Sequence, residues 1–208
     1  MRLTDRSVLF IAVIFLILTV VVSCSTTPDL KVIYRLPARS DELQGMKVAL
    51  VFNDARGIND ILGDGAKNEF KFFAGNISLS LARENEKGFL IGLLDIRSLC
   101  MEAFQRRLET LGVTVISEKG EGQIELVIVL KEFVLDLQNR RWVARIGYDG
   151  RIERSGEMLV KQTISGEAER LKIMGHSQAD DVMSNLFTDV INRLDLVKMF
   201  RQASQKSP

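Results

Sequence analysis

The feature that most constrains this chain is an apolar run of 15 residues, 8–22, which only Thr19 interrupts. Arg2 and Arg6 precede the run, and no second apolar run of comparable length follows it. A permanent transmembrane helix needs about 20 apolar residues. A shorter run behind a basic start is typical of a secretory signal peptide, which the mature protein lacks. We therefore expect residues 1–23 to direct export and the folded part to follow them.

The apolar run ends at Val21-Val22-Ser23-Cys24, where aliphatic residues lead into a small residue and a cysteine. This order resembles the bacterial lipobox, which implies cleavage after Ser23 and attachment of lipid to the Cys24 sulfur. Two or more acyl chains, palmitate among them, hold a protein firmly on a membrane, whereas one chain does so only marginally. The alternative is an uncleaved single-span anchor with an ordinary cysteine. Serine at position 25 resembles the Gram-negative sorting pattern that favours the outer membrane over the inner membrane.

The mature part of the chain is electrically neutral. The whole chain has a formal net charge of +1, and the first 23 residues contain two arginines and one aspartate. A neutral chain has no general attraction for phosphate backbones, so we expect no nucleic-acid partner. The two cysteines are Cys24 and Cys100, and lipid on Cys24 would leave no pair for an internal disulfide.

The rest of the sequence predicts one α+β domain. We expect a lipidated N-terminus and tether over residues 24–45, the domain over 46–202 and a frayed tail over 203–208. Short or alternating apolar runs predict strands at 46–52, 77–81, 113–117, 124–137, 142–148 and 158–168. Apolar residues at three- and four-residue steps predict helices at 95–111 and 177–194. Two one-sided helices need a surface to cover, so we expect a mainly antiparallel sheet with both helices packed on one face, a two-layer sandwich.

Two local signals predict where the helices begin and end. Asp95 can accept from the exposed backbone N–H groups of the first helix, and Gly112 can take the left-handed conformation that ends it. Ser177, with Asp180 three residues later, resembles a capping box for the second helix.

The strands carry two further local signals. Residues 70–73 are predicted to pair with 77–81 as a hairpin. Asp149-Gly150 is a turn signal, although the polar stretch 151–157 can instead extend two long, exposed strands. The outer face of the sheet is expected to carry Arg145, Lys161 and Thr163 into water.

Residues able to perform catalysis are sparse. His176 is the only histidine, and a single histidine can build neither a familiar zinc site nor, without a suitable serine motif, a serine triad. We expect His176 in a solvated loop. Cys100 lies on the apolar stripe of the first helix, which favours a buried, inert thiol. Asp180-Asp181 is expected to complement the helix dipole rather than bind metal. We therefore expect no enzyme, with no catalytic residues, no metal and no cofactor.

Asp54-Ala-Arg56, directly after the first predicted strand, is the best candidate binding feature. Asp54 and Arg56 can pair within a structural turn, or they can receive a ligand at the strand edge. Gly63-Asp-Gly65 follows, but it lacks the Lys-Ser/Thr of a phosphate-binding loop.

The layout resembles the YajG-like family of bacterial lipoproteins over most of the mature chain. The matching segments are Asp54-Ala-Arg56, Leu108-Glu-Thr-Leu-Gly112, the strand 124–137, Ile164-Ser-Gly-Glu-Ala-Glu-Arg170 and Ala179-Asp-Asp-Val with Leu186 and Val190-Ile-Asn-Arg-Leu194. The resemblance implies this fold and a place in the cell envelope, without an established activity.

Our first interpretation is a periplasm-facing lipoprotein, held on the membrane through Cys24, that acts as a non-enzymatic binding or accessory component. Its partner would be another envelope protein, reached through the glycine-rich segment 54–91 or a sheet edge. A more distant resemblance to the auxiliary lipoproteins of ABC-type transport systems implies the alternative, which is handling of a lipid or small molecule. That alternative predicts an apolar pocket between the helices and the sheet.

Overall fold

The computed structural model describes residues 28–83, 86, 88–116 and 122–206. The predicted signal peptide, its cleavage after Ser23 and the lipidation of Cys24 lie outside these residues. Eight strands are described: β1 (Leu30–Arg35), β2 (Lys47–Asp54), β3 (Ile77–Ala82), β4 (Phe89–Leu94), β5 (Thr114–Ile116), β6 (Ile124–Gln138), β7 (Arg141–Arg154) and β8 (Glu157–Leu171). Four helices accompany them: α1 (Asp64–Glu69), α2 (Ile96–Glu109), α3 (Ser177–Arg193) and α4 (Leu196–Gln205). In the part of the chain that is described, no helix is both long and apolar enough to cross a bilayer.

The strands form two sheets. The larger sheet has the order β5-β2-β6-β7-β8, and the smaller has the order β1-β3-β4. The long strands β6, β7 and β8 pair antiparallel, whereas β2 runs parallel to both of its neighbours and β1 runs parallel to β3. The predicted α+β sandwich is confirmed, and the structure adds that its sheet is divided in two.

One core joins the sheets and the helices. Trp142, Ala144, Ile146 and Tyr148 alternate along β7, as predicted, and all four are buried. The apolar stripes of α2 and α3 face the same core. Space for α3 depends on Gly166, because a Cβ atom there would lie 2.8 Å from Leu186 Cδ1. The helix can therefore pack close to the sheet.

Residues 30–35, which we expected in the tether, instead form β1. The sequence Leu-Lys-Val-Ile-Tyr-Arg alternates buried and exposed residues, which is the pattern of a half-buried strand. This part of the tether prediction is wrong because the strand is completed by elements far away in the chain. Its backbone pairs with β3 on one side and with side chains of α3 on the other.

Helix α3 covers the free edge of β1 with a ladder of polar side chains. The backbone N–H groups of Lys31, Ile33 and Arg35 donate to Asp180 Oδ1 (3.0 Å), Ser184 Oγ (2.9 Å) and Thr188 Oγ1 (3.1 Å), respectively. Every second residue of β1 donates to every fourth residue of α3. Two strand residues advance about 6.6 Å and four helix residues about 6 Å, so the donors and acceptors stay in register along the ladder. The ladder provides acceptors for backbone N–H groups at the edge of β1, which would otherwise be open to pairing with another chain.

The helix-end predictions are confirmed for α2 and wrong for α3. The Asp95 side chain accepts from Ser98 N at 2.7 Å, and Gly112 has a φ of +82°. In α3 the N-cap position falls on His176, with no side-chain cap. The expected capping box does not form because Asp180 accepts from β1 instead.

Two further predictions are corrected by long-range packing, and one open alternative is decided. Residues 70–73 form a turn after α1, and β3 pairs with β1 and β4 instead. Asp149-Gly150 lies inside β7, so the alternative of extended strands is confirmed; the turn falls at Ser155-Gly156. The expected tail is helical as far as Gln205, because Ala203 is fully buried in the core.

The outer face of the larger sheet is less open to water than predicted. Asp149 is only 1% exposed there, and it accepts from Thr163 Oγ1 at 2.7 Å. Lys131 and Lys161 place their ammonium groups 2.8 and 2.9 Å from Asp149 Oδ2. Lys161 and Thr163 therefore cover a buried carboxylate, while Arg145 pairs with Glu132 at 2.8 Å.

Candidate binding site

The candidate site begins where β2 leaves the larger sheet. Asp54 is the last residue of β2, and Ala55 N still donates to Leu130 O of β6 at 2.8 Å. The chain then turns, and the Arg56 side chain folds back onto Asp54. Arg56 Nε donates to Asp54 Oδ1 at 2.9 Å and Nη2 donates to Oδ2 at 2.8 Å, a two-pronged ion pair. Of the two sequence-based alternatives, the local pairing is therefore present.

The pair is held at the edge of the core. The Arg56 side chain is 5% exposed and that of Asp54 is 33% exposed. The hydrogen bond from Arg56 lowers the pKa of Asp54, so this carboxyl group is ionised at neutral pH. Within the described part of the chain, Arg56 Nη1 is buried without a hydrogen-bond partner. A buried donor of this kind costs free energy unless something else accepts from it.

A surface cavity of about 590 Å³ lies against Arg56. Its floor is formed by β6 and β7, and its wall is the segment that connects β2 to α1. The lining residues include the apolar Ile58, Leu62 and Phe133 and the charged Asp60, Lys67, Lys131, Glu132, Asp136 and Arg145. Two ion pairs lie on it, Lys67 with Asp60 (2.7 Å) and Arg145 with Glu132 (2.8 Å). The cavity therefore presents apolar side chains mixed with charged ones, and four of the charged residues form two ion pairs.

Asp136 fixes the wall of this cavity, a role that sequence reasoning missed. Its Oδ1 accepts from the backbone N–H groups of Gly65 (3.0 Å) and Ala66 (3.3 Å) at the start of α1. Burial opposes ionisation of this carboxyl group, but hydrogen bonds from Gln138 and from the backbone prevail and lower its pKa. The available signal was a carboxylate between two leucines, Leu135 and Leu137, near the end of β6.

The glycines near Asp136 allow a close approach between the start of α1 and β6. A Cβ atom on Gly63 would lie 2.4 Å from Asp136 Cγ, and one on Gly65 would lie 2.1 Å from Leu137 O. Gly63 and Gly65 therefore allow α1 to lie directly on β6. They serve a close backbone approach rather than a phosphate.

His176 is a bridging residue, not the solvated loop residue that we expected. Its Nε2 lies 2.8 Å from Glu69 O, and its ring stacks on Phe70 at 4.3 Å between centroids. It thereby joins the start of α3 to the end of α1, far from the Asp54–Arg56 pair in the chain.

Cys100 is buried, as predicted, and burial raises its pKa to about 12. Among the described residues, no group of three or more His, Cys, Asp or Glu side chains is placed to hold a metal ion. Asp180 and Asp181 point to separate partners: Asp181 pairs with Arg170 at 3.0 Å, whereas Asp180 accepts from Lys31 N.

No protein-family model matches the chain, and no curated protein matches it in sequence. The crystal structure of a Xanthomonas campestris protein of the DUF330 family is similar to it, with a TM-score of 0.55 and 14% identity, covering 84% of this chain and 99% of that one. A minor lipoprotein from Acinetobacter baumannii has a TM-score of 0.36 and 12% identity, covering 78% of this chain and 95% of its own. A Neisseria meningitidis lipoprotein has a TM-score of 0.28 and 10% identity, covering 71% of this chain and 99% of its own.

These comparisons establish a fold. The chain shares its architecture with the Xanthomonas campestris protein over nearly the whole length of that protein. The Acinetobacter baumannii and Neisseria meningitidis lipoproteins resemble this chain less closely. Membership of the YajG-like family stays a prediction from the sequence.

Proposed function

We propose that this chain is a lipid-anchored protein of the bacterial cell envelope, and that it works by binding an envelope protein at the Asp54–Arg56 pair and the adjacent cavity. The supporting observation is Arg56 itself. Its guanidinium group is buried and fixed by Asp54, and its Nη1 still has a hydrogen to donate. Because Nη1 is itself shielded from solvent, a partner would meet the partly exposed Asp54 carboxylate that Arg56 fixes, together with the charged rim of the adjacent cavity.

The protonation states favour binding over catalysis. Arg56 lowers the pKa of Asp54, so this carboxylate cannot supply a proton near neutral pH. Burial raises the pKa of Cys100, so its nucleophilic thiolate form is scarce. We therefore propose a non-enzymatic role with no cofactor.

The proposed location of the protein in the cell, which we call its address, rests on the N-terminal sequence. Cleavage after Ser23 and lipidation of Cys24 would hold the domain on the membrane with its binding surface in the periplasm. Serine at position 25 favours the outer membrane. Anchoring would keep the local concentration of the domain high, which favours even a weak partner.

Fractionation of cells tests the address. We expect the wild-type chain in the outer-membrane fraction, with acyl chains on Cys24 in the mass spectrum of the mature N-terminus. The Cys24→Ala variant should remain uncleaved by the lipoprotein peptidase and lose stable membrane attachment. A mature wild-type protein that begins at another residue, or that carries no fatty acid, would contradict this part of the proposal.

Crosslinking in intact cells tests the binding surface. We expect Arg56→Gln to lose at least 10-fold of a crosslinked envelope protein that the wild type recovers. Arg39→Gln is the matched control, because Arg39 also pairs with an aspartate two residues away, Asp41 at 2.8 Å, but its side chain is 72% exposed. Equal recovery from both variants would rule out the Arg56 surface, and recovery of the bait alone from wild type would rule out a stable protein partner.

The alternative is an auxiliary role in an ABC-type transport system. One observation favours it: a cavity of about 900 Å³ lies between the end of the smaller sheet and α2, and Leu36, Leu81 and Phe89 contribute apolar surface to it. Native mass spectrometry of the purified protein should then show a co-purified lipid or small molecule. If the Phe89→Asp variant no longer carries this ligand, the ligand binds in this cavity.

A further inference from the structure

Four large apolar side chains project into solvent from two neighbouring segments of the domain. Phe72 is 86% exposed on the turn after α1, and Leu171, Ile173 and Met174 are 58%, 77% and 81% exposed at the end of β8 and in the link to α3. Soluble proteins rarely expose four large apolar side chains close together, and such a group of side chains marks a contact with a partner or a membrane.

The two segments lie at the same end of the domain. Lys172 forms an ion pair with Glu69, and His176 stacks on Phe70, two residues before Phe72. Lys172 also lies 5.9 Å from the centre of the Trp142 ring. These contacts tie the link before α3 to the turn after α1, so their exposed apolar residues form one surface, which we call the apolar end.

The N-terminal side of the chain leaves the domain at this same end. Leu30 N donates to Asn76 O at 3.5 Å, and Asn76 lies four residues after Phe72. Lys31 N donates to Asp180 Oδ1 at 3.0 Å, in the first turn of α3 and close to the link that carries Ile173 and Met174. The start of β1 therefore lies between the two exposed segments.

Only four residue steps separate Cys24 from Pro28, the first residue described. A fully extended chain spans at most about 3.6 Å per residue, so this connection cannot exceed about 14 Å. Lipid on Cys24 would therefore bring the membrane surface within about 14 Å of Pro28. The apolar end adjoins the start of β1, so this short connection holds it on the side of the domain that faces the membrane.

Two exposed basic side chains lie at the same end. Lys71 is exposed next to Phe72. Arg140 is exposed in the β6–β7 turn, and its backbone carbonyl accepts from Lys172 N at 2.9 Å. Lysine and arginine beside apolar side chains fit the headgroup region of a bilayer, where phosphates and acyl chains meet.

We propose that the apolar end, formed by Phe72, Leu171, Ile173 and Met174, inserts into the headgroup region of the bilayer that holds the Cys24 lipid. The domain then stands on the membrane in a fixed orientation, with β8 directed away from the bilayer. This inference rests on the lipid anchor proposed above. It adds a second membrane contact, made by side chains of the folded domain.

Two methionines provide a matched test, because β8 extends between their positions. Met158 is 53% exposed near the start of β8 and Met174 lies three residues after its end. The 13 residue steps from Met158 to Leu171 extend over about 43 Å at 3.3 Å per step. A label on Met158 should therefore remain in water when a label on Met174 reaches the membrane.

The experiment uses the full lipidated chain in vesicles of phosphatidylethanolamine and phosphatidylglycerol, carrying either Met174→Cys or Met158→Cys. The thiols are labelled with a polarity-sensitive fluorophore; Cys100 is buried, and lipid blocks Cys24. We expect the label at 174 to shift to the blue and to lose at least half of its intensity with brominated lipids, while the label at 158 does neither. Ile173→Cys is the second position, for use if circular dichroism shows that Met174→Cys is misfolded.

Two results would overturn the proposal, and they are distinguishable. If the protein floats with the vesicles but both labels report water, the anchor is present and the apolar end does not touch the membrane. If the protein does not float and Cys24 takes up label, the lipid anchor itself is absent, which refutes the proposed address as well.

Discussion

Asp180→Asn should stabilise the domain at neutral pH, although it removes a carboxylate from the first turn of a helix. Burial raises the pKa of Asp180 from 3.8 to about 6; the nearby Lys31 offsets part of this effect and the charge of Asp29 adds to it. Because the folded state holds the proton more tightly than the unfolded state, stability is greatest below the unfolded pKa. It falls as the pH rises from about 4 to 6 and is not recovered above that.

The size of the effect follows from the shift. A rise from 3.8 to about 6 is worth at most about 3 kcal/mol at 1.36 kcal/mol per unit. The carboxyl group is only partly buried, and solvent screening reduces this figure to about 1–2 kcal/mol. Asparagine keeps an oxygen that can accept from Lys31 N, so the substitution removes the charge and retains the hydrogen bond.

Urea unfolding at pH 7 and at pH 4, followed by circular dichroism, measures this directly. We expect Asp180→Asn to exceed wild type by about 1–2 kcal/mol at pH 7 and to match it at pH 4. The neighbouring Asp181→Asn is the control, because Asp181 is 57% exposed and pairs with Arg170. If Asp180 served to complement the helix dipole, as the sequence suggested, its replacement would instead cost about 0.3–1 kcal/mol at pH 7, and that sign would refute the reasoning.

Three further substitutions test the packing of the edge strand and of α1. Asp136→Ala should lower the free energy of unfolding by about 1–3 kcal/mol and speed hydrogen exchange at the start of α1, since the backbone N–H groups of Gly65, Ala66 and Leu137 lose their acceptor; unchanged exchange there would show that Asp136 does not hold the helix. Gly65→Ala should cost at least about 2 kcal/mol in thermal unfolding, because its Cβ would overlap the carbonyl oxygen of Leu137; a normal melting temperature would contradict the close approach. Ser184→Ala should cost about 1–2 kcal/mol and expose the Ile33 amide to exchange, and continued protection would mean that another group accepts from it.

The sequence by itself determined the elements whose periodicity is strong and local. The apolar stripes of α2 and α3 and the alternation along β7 are each set by contacts with one large core, so burial can be read from spacing alone. The Asp95 cap and the Gly112 terminus involve only residues three or four positions away. The export signal and lipobox are likewise local patterns, and they stay predictions because they lie outside the described residues.

Only the tertiary structure decided the rest. Residues 30–35 became a strand because α3 supplies its missing hydrogen bonds, and Ile33 and Ser184 are separated by 151 positions. At the candidate site, the sequence singled out Asp54 and Arg56 but not Asp136, whose contacts to Gly65 and Ala66 span about 70 residues. Local spacing reports which face of an element is buried. It does not report which distant group satisfies a backbone N–H, or which exposed apolar side chains meet at one end of the domain, because chain folding alone brings those groups together.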